Sequence, residues 1–319
     1  MTTTAYPYAP FAPGAPSHIQ ALRESTAGVR LLRSRFGVRK ALSKIQVSEA
    51  AEVFHAEGNV LSASKKLLNT QHEDYANVTR VLSQAVAYWK SLTVSFPITG
   101  IRLMRKDMIP AFNAKMDQFR AELRDSAEKL QQSYDALRAD AQERLGDLFN
   151  PADYPTNIGE LFELQWDYPS VEPDARLKEL SPEIYEQAQA RVAAQFESAI
   201  AMAEQAFAEE LQKLVSHLVD RLSGKDEDGA PKVLNKSAVE NLTTFFTKFK
   251  DMNIGNNAEL SALVEKAENI VAGVDTKDLR KNVPFRHQLA EQLGSVQTLL
   301  DAMVIDKPTR AIDLGDDDE

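Results

Sequence analysis

The chain has 319 residues, a formal net charge of −10 at pH 7, 43% hydrophobic residues, no cysteine and 13 glycines, about 4% glycine against a usual ~7%. The absence of cysteine excludes disulfide scaffolds, thiolate zinc sites, iron–sulfur clusters and cysteine nucleophiles. The glycine shortage disfavours Rossmann turns and phosphate loops, whose backbones need positive φ, and favours long helices, which do not.

Residues 1–17, MTTTAYPYAPFAPGAPS, carry no Lys or Arg. They read as a disordered Pro/Ala/Tyr arm and not as a secretory leader, which needs a basic start. Residues 18–57 read as helical, interrupted by Gly28 and Gly37. From Ala21 to Gln46 seven basic residues face one acid, Glu24, a local net charge of +6 that leaves −16 for the rest of the chain. On a helix, Arg30, Arg33, Lys40 and Lys44 share a face. With Arg35 and Arg39 they form the candidate contact for nucleic acid or another anionic partner. The same stripe suits an acidic helix or the acidic tail, and a pI near 5.2 argues against a dedicated DNA binder.

Within this region Glu52-Val53-Phe54-His55 has the Glu-x-x-His spacing that puts a carboxylate and an imidazole on one helical face, as in helical di-iron proteins. No other histidine has a Glu three residues before it. The preferred reading is a surface Glu beside a part-buried His, with no metal and no cofactor.

Proline and glycine map the helix ends, because each costs about 1–3 kcal/mol inside a helix. Three windows contain neither: Asn59 to Phe96, Ala111 to Leu145, and Glu183 to Ser223. In the first, Leu61, Leu68, Tyr75, Leu82 and Trp89 recur every seven residues. The apolar tip SLTVSFPITGI at 91–101 reads as a small buried hairpin, with a membrane-inserting tongue as the other reading; it is too short to span a bilayer. In the second window Phe112, Met116, Phe119, Leu123, Ala127 and Leu130 begin a stripe with steps of three and four, the spacing of a coiled-coil seam.

Phe162, Leu164, Trp166 and Tyr168 alternate with Glu163, Gln165 and Asp167, the period of a strand, and Gly100–Met104 offers a short mate. Ser181 as N-cap with Pro182 at the first helical position opens the third window. Beyond it, Ser237 with Glu240 reads as a capping box before Leu242, Phe245, Phe246 and Phe249. A helix follows from about Asn257 to Ala272, stopped by Gly273, and a last one runs from Pro284 to near Met303. An acidic tail closes the sequence.

The expected fold is mainly α: an elongated antiparallel long-helix or coiled-coil bundle with a small β element near residues 94–104 and 160–170. The regions are 1–17 (arm), 18–93 (basic region and first long helix), 94–181 (second long helix and mixed loop/β region), 182–306 (third long helix and C-terminal bundle) and 307–319 (acidic tail). No HExxH, GxxxxGK[ST], GxSxG or GxGxxG is present, so no catalytic residue is assigned.

RFGVRKALSKIQV at 35–47, SKKLL at 64–68, LGDLFNPADYP at 145–155, LVSHLVDRL at 214–222, AGVD at 272–275 and DAMVIDKPTRAI at 301–312 together resemble an uncharacterised phage and mobile-element family of long helical proteins, a domain of unknown function. The resemblance implies a phage context and, for some relatives, neighbouring MoxR-type ATPases and von Willebrand A proteins. The expected function is therefore a non-enzymatic structural or adaptor component in the cytoplasm of a bacterial host, binding itself or such an ATPase or von Willebrand A partner. The alternative is nucleic-acid binding through residues 23–44.

Overall fold

The computed structural model describes residues 17–224, 232, 234–255, 257–274, 279 and 282–304. The expected arm and acidic tail fall outside them, except that Ser17 already belongs to the first helix. The chain is mainly helical, with nine α-helices and six short strands among the described residues. No helix among them is long and apolar enough to cross a membrane. Two compact units divide the chain: residues 1–28, 92–106 and 169–319 in the first, 29–91 and 107–168 in the second.

The first unit is built on a 42-residue helix, α6 (Pro182–Ser223), ~63 Å long at 1.5 Å per residue. Ser181 accepts from the Ile184 N–H and Pro182 follows it, as the sequence predicts. Its apolar stripe, including Phe196, Phe207, Leu211 and Leu218, is buried against α7 (Lys236–Met252), α8 (Ala258–Val271) and α9 (Val283–Met303). Phe207 lies edge-on to Phe245 and Phe249 at ring distances of 6.2 and 5.2 Å. The helix α1 (Ser17–Ser25) adds Ile19 and Leu22 to this core. The tip at 91–101 enters it as well: β4 (Val94–Ser95) pairs antiparallel with β5 (Ile101–Arg105), and Phe96 packs on Phe196.

Two local starts and stops are informative. The expected capping box at Ser237 is not used. Helix α7 begins two residues earlier with Asn235 at the N-cap, and Glu240 pairs with Lys236 instead. The stop at Gly273 does form: it takes φ +72, a conformation costly to any residue with a Cβ.

The second unit centres on α4 (Ile109–Leu145), whose stripe from Phe112 to Ala141 is buried within the chain. Helix α3 (Glu73–Ser91) lies antiparallel on it, since Tyr88 stacks on Phe112 while Asp74 accepts from Ser133 further along. The first window is thus helical only from Glu73. Leu61 and Leu68 share its heptad spacing but lie outside the helix, because Ser64–Lys66 forms β3, antiparallel to β2 (Arg39–Ala41). Between these two strands runs α2 (Lys44–Val53), opened by a Ser43/Gln46 capping box.

The expectation that residues 18–57 are helical fails at its centre. Residues Thr26–Ser34 form β1, and its second half pairs with β6 (Glu163–Asp167) in the register Arg30↔Asp167 to Ser34↔Glu163. Gly28 marks the reason within the first unit: a Cβ there would meet the Pro169 carbonyl oxygen at 2.9 Å, so only glycine lets segment 169–171 run this close. The alternating segments near 100 and 165 are strands, but they do not pair with each other: 101–105 pairs with 94–95, and 163–167 with 30–34.

Candidate functional site

The basic residues do not share a helical face. Arg30 and Arg33 lie on β1, Arg35 in the following loop, Arg39 and Lys40 on β2, and Lys44 at the first residue of α2. Arg30 makes a two-pronged pair with Asp167, Nε to Oδ1 at 3.1 Å and Nη2 to Oδ2 at 2.5 Å. The Arg30 hydrogen bond holds the Asp167 carboxyl below its ordinary value. Arg23, which opens the segment, is buried against Glu172.

Lys40 sits directly across the β2–β3 ribbon from Lys65, a like-charge pairing that is ordinarily unfavourable. Asp153 resolves it. Its side chain, only 1% exposed, lies 2.5 Å from Lys40 Nζ and 2.7 Å from Lys65 Nζ. Burial pushes the Asp153 carboxyl up, but the two ammonium groups outweigh it and hold it below the ordinary 3.8. Lys65 also donates to the Leu148 carbonyl at 2.6 Å, and the Tyr154 hydroxyl donates to the Leu67 carbonyl at 2.9 Å. These contacts fasten LGDLFNPADYP to the ribbon, so the motif that carries no recognisable chemistry in sequence is a structural clasp.

The Glu-x-x-His geometry is not formed. Helix α2 ends at Val53, and His55 has φ +54, beyond the helix, so Glu52 and His55 do not share a helical face. No group of three or more histidines or carboxylates among the described residues is placed to hold a metal ion.

A concave feature of the second unit is a groove of about 860 Å³ between α4 and the stretch 157–166. Its floor is apolar: Leu123, Ala127, Phe162, Leu164 and Trp166. The strand runs antiparallel to α4, since Trp166 lies beside Phe112 and Asn113 while Ile158 lies beside Gln131. Arg120 and Arg124 therefore rim one end; Glu160 on the strand side and Glu128 on the helix lie toward the other, with Glu163 between. Both ends are braced. The Trp166 indole donates to Asn113 Oδ1 at 2.7 Å beneath the Arg120 guanidinium, 4.7 Å from its ring. The Gln131 side-chain Oε1 accepts from the Ile158 N–H at 2.8 Å. Gly159 allows the close approach there, since a Cβ would lie 3.2 Å from the Ala127 carbonyl oxygen.

Sequence reasoning finds the alternating strand and the α4 stripe but not the groove between them. Neither does it find the Asp153 clasp. The one available signal for the clasp is Asn-Pro before Asp153, a short-turn opener in which Asn150 accepts from the Ala152 N–H. No family model, curated protein or solved structure matches the chain.

Proposed function

We propose that the chain is a non-enzymatic helical adaptor that binds a protein partner through the groove of the second unit. The observation that carries this reading is the groove itself: a braced, apolar floor between a helix and a strand, rimmed by charges of opposite sign at its two ends. Apolar centre and polar rim are the anatomy of protein-binding surfaces. In this reading the protein is of phage or mobile-element origin, works in the bacterial cytoplasm, and has a MoxR-type ATPase or von Willebrand A protein, or a second copy of itself, as partner. Its long seams form an elongated antiparallel, coiled-coil-like bundle. Scattering should then give a radius of gyration well above the ~20 Å of a compact chain of this length.

Affinity capture with the full chain from nuclease-treated lysate of its natural host tests the function. One protein should be retained near stoichiometrically. Recovery of nucleic acid alone, or of nothing, counts against an adaptor. For the nucleic-acid alternative, Arg30 and Lys40 among the assigned cations are already in ion pairs within the chain. It predicts that changing Arg30, Arg33, Lys40 and Lys44 to Glu abolishes DNA binding at low salt; unaltered binding, or none to begin with, removes it.

A further inference from the structure

We infer that the groove takes an extended peptide segment of a partner protein, which adds to β6 as an antiparallel strand, with apolar residues at alternate positions, acid toward its N-terminus and base toward its C-terminus. This rests on the adaptor reading and names the chemistry of its partner.

The first support is the strand edge. In an antiparallel ladder, alternate residues direct both N–H and C=O to one side, and the residues between direct theirs to the other. Strand β6 is paired with β1 along one edge and stands last in the order of its sheet. The consecutive residues Glu163, Leu164, Gln165 and Trp166 all line the groove. Residues of both strand faces reach it together only if the edge opens into it. Such an edge is a template for another strand, and proteins usually blunt it with proline, a bulge or a cover. Here the sequence Glu-Leu-Gln-Trp-Asp contains no proline.

Length and charge decide the occupant. The groove runs along α4 from Arg120 to Gln132, twelve steps of 1.5 Å or ~18 Å. At ~3.3 Å per residue this holds five or six extended residues. Alternate side chains of the incoming strand lie over Trp166 and over the buried floor at Leu123 and Ala127. Arg120 and Arg124 meet an acid at the Trp166 end; Glu128 and Glu160 meet a base at the other. Because antiparallel pairing is the more stable, the acidic end of the peptide is its N-terminal end. The bracing by Asn113 and Gln131 means little ordering cost remains to be met on binding.

The probe is a fluorescently labelled synthetic peptide, Ser-Asp-Asp-Val-Thr-Val-Thr-Val-Lys-Lys, titrated with the full chain by anisotropy at moderate salt. Saturable binding is expected. N-methylation of one alternate set of backbone nitrogens should abolish it and methylation of the other set should not, because only one set faces β6. The double variant Arg124→Glu, Glu160→Lys, at two exposed positions, should weaken binding about tenfold, a few-fold for each end, and should lose the unmodified chain's preference for this peptide over one with its charged ends exchanged. Absence of saturable binding, equal effects of the two methylations, or indifference of the unmodified chain to the charge exchange overturns strand addition. If strand addition is overturned while the unmodified chain still captures one host protein and the double variant does not, the adaptor reading stands without it, so the two failures are distinct.

Discussion

Replacing Asp153 by Asn removes the charge that two lysines share while leaving size and shape almost unchanged. Lys65 is the decisive partner: its side chain is 7% exposed, whereas that of Lys40 is 55% exposed and can turn to water. A buried ammonium that loses its counter-charge costs about 3–5 kcal/mol. The Leu148 carbonyl still accepts from Lys65, so the lower end, about 3 kcal/mol, is expected. Both tryptophans of the chain, Trp89 and Trp166, lie in the second unit, so urea unfolding followed by tryptophan fluorescence reports this unit. With a slope of ~1.5 kcal/mol/M the midpoint should fall by about 2 M. In a Lys65→Met background the same change should cost much less, because no buried ammonium remains to be stranded. The pH dependence has a definite sign. The folded Asp153 pKa is depressed, so its contribution is fully present above the unfolded carboxyl value near 3.8 and is lost as pH falls through the lower folded value. Asp153→Asn should flatten that acid limb. A midpoint shift below about 0.5 M, or equal shifts in both backgrounds, would refute the clasp.

Three further outcomes are expected. The Tyr134 hydroxyl is buried without a hydrogen-bond partner, and burial pushes its pKa up to about 12; Tyr134→Phe should stabilise by ~1 kcal/mol in the same fluorescence assay and should remove the last step of an alkaline titration at 295 nm. Because that pKa is raised, the tyrosine's contribution holds below the unfolded value near 10 and is lost as pH rises through about 12. Phe207→Ala empties the contact with Phe245 and Phe249 and should cost about 3–5 kcal/mol by far-UV ellipticity, a loss under 1 kcal/mol showing that the core collapses around the gap. Gly273→Ala, at φ +72 with open space around its Cβ, should cost ~1 kcal/mol from backbone strain alone.

Sequence periodicity by itself determined the two longest helices, because an apolar residue every three or four positions over ten turns has only one regular backbone that buries it. It also determined the Ser181-Pro182 start and the Gly273 stop, where a local side chain or a missing Cβ decides the geometry. Residues 26–34 and 59–72 were not legible in this way. Their helix-compatible spacing is overridden by partners more than a hundred residues distant in the first case, such as Asp167 for Arg30, and by the β2–β3 pairing in the second. The basic stripe was likewise a projection onto a helix that does not form. Charge content is a property of the sequence, but which charges remain available for a partner depends on where Asp153 and Asp167 are brought. The groove belongs wholly to tertiary structure. Its floor comes from two segments some forty residues apart in the chain, and neither contains a residue pattern that differs from an ordinary buried stripe until the open edge of β6 is placed beside α4.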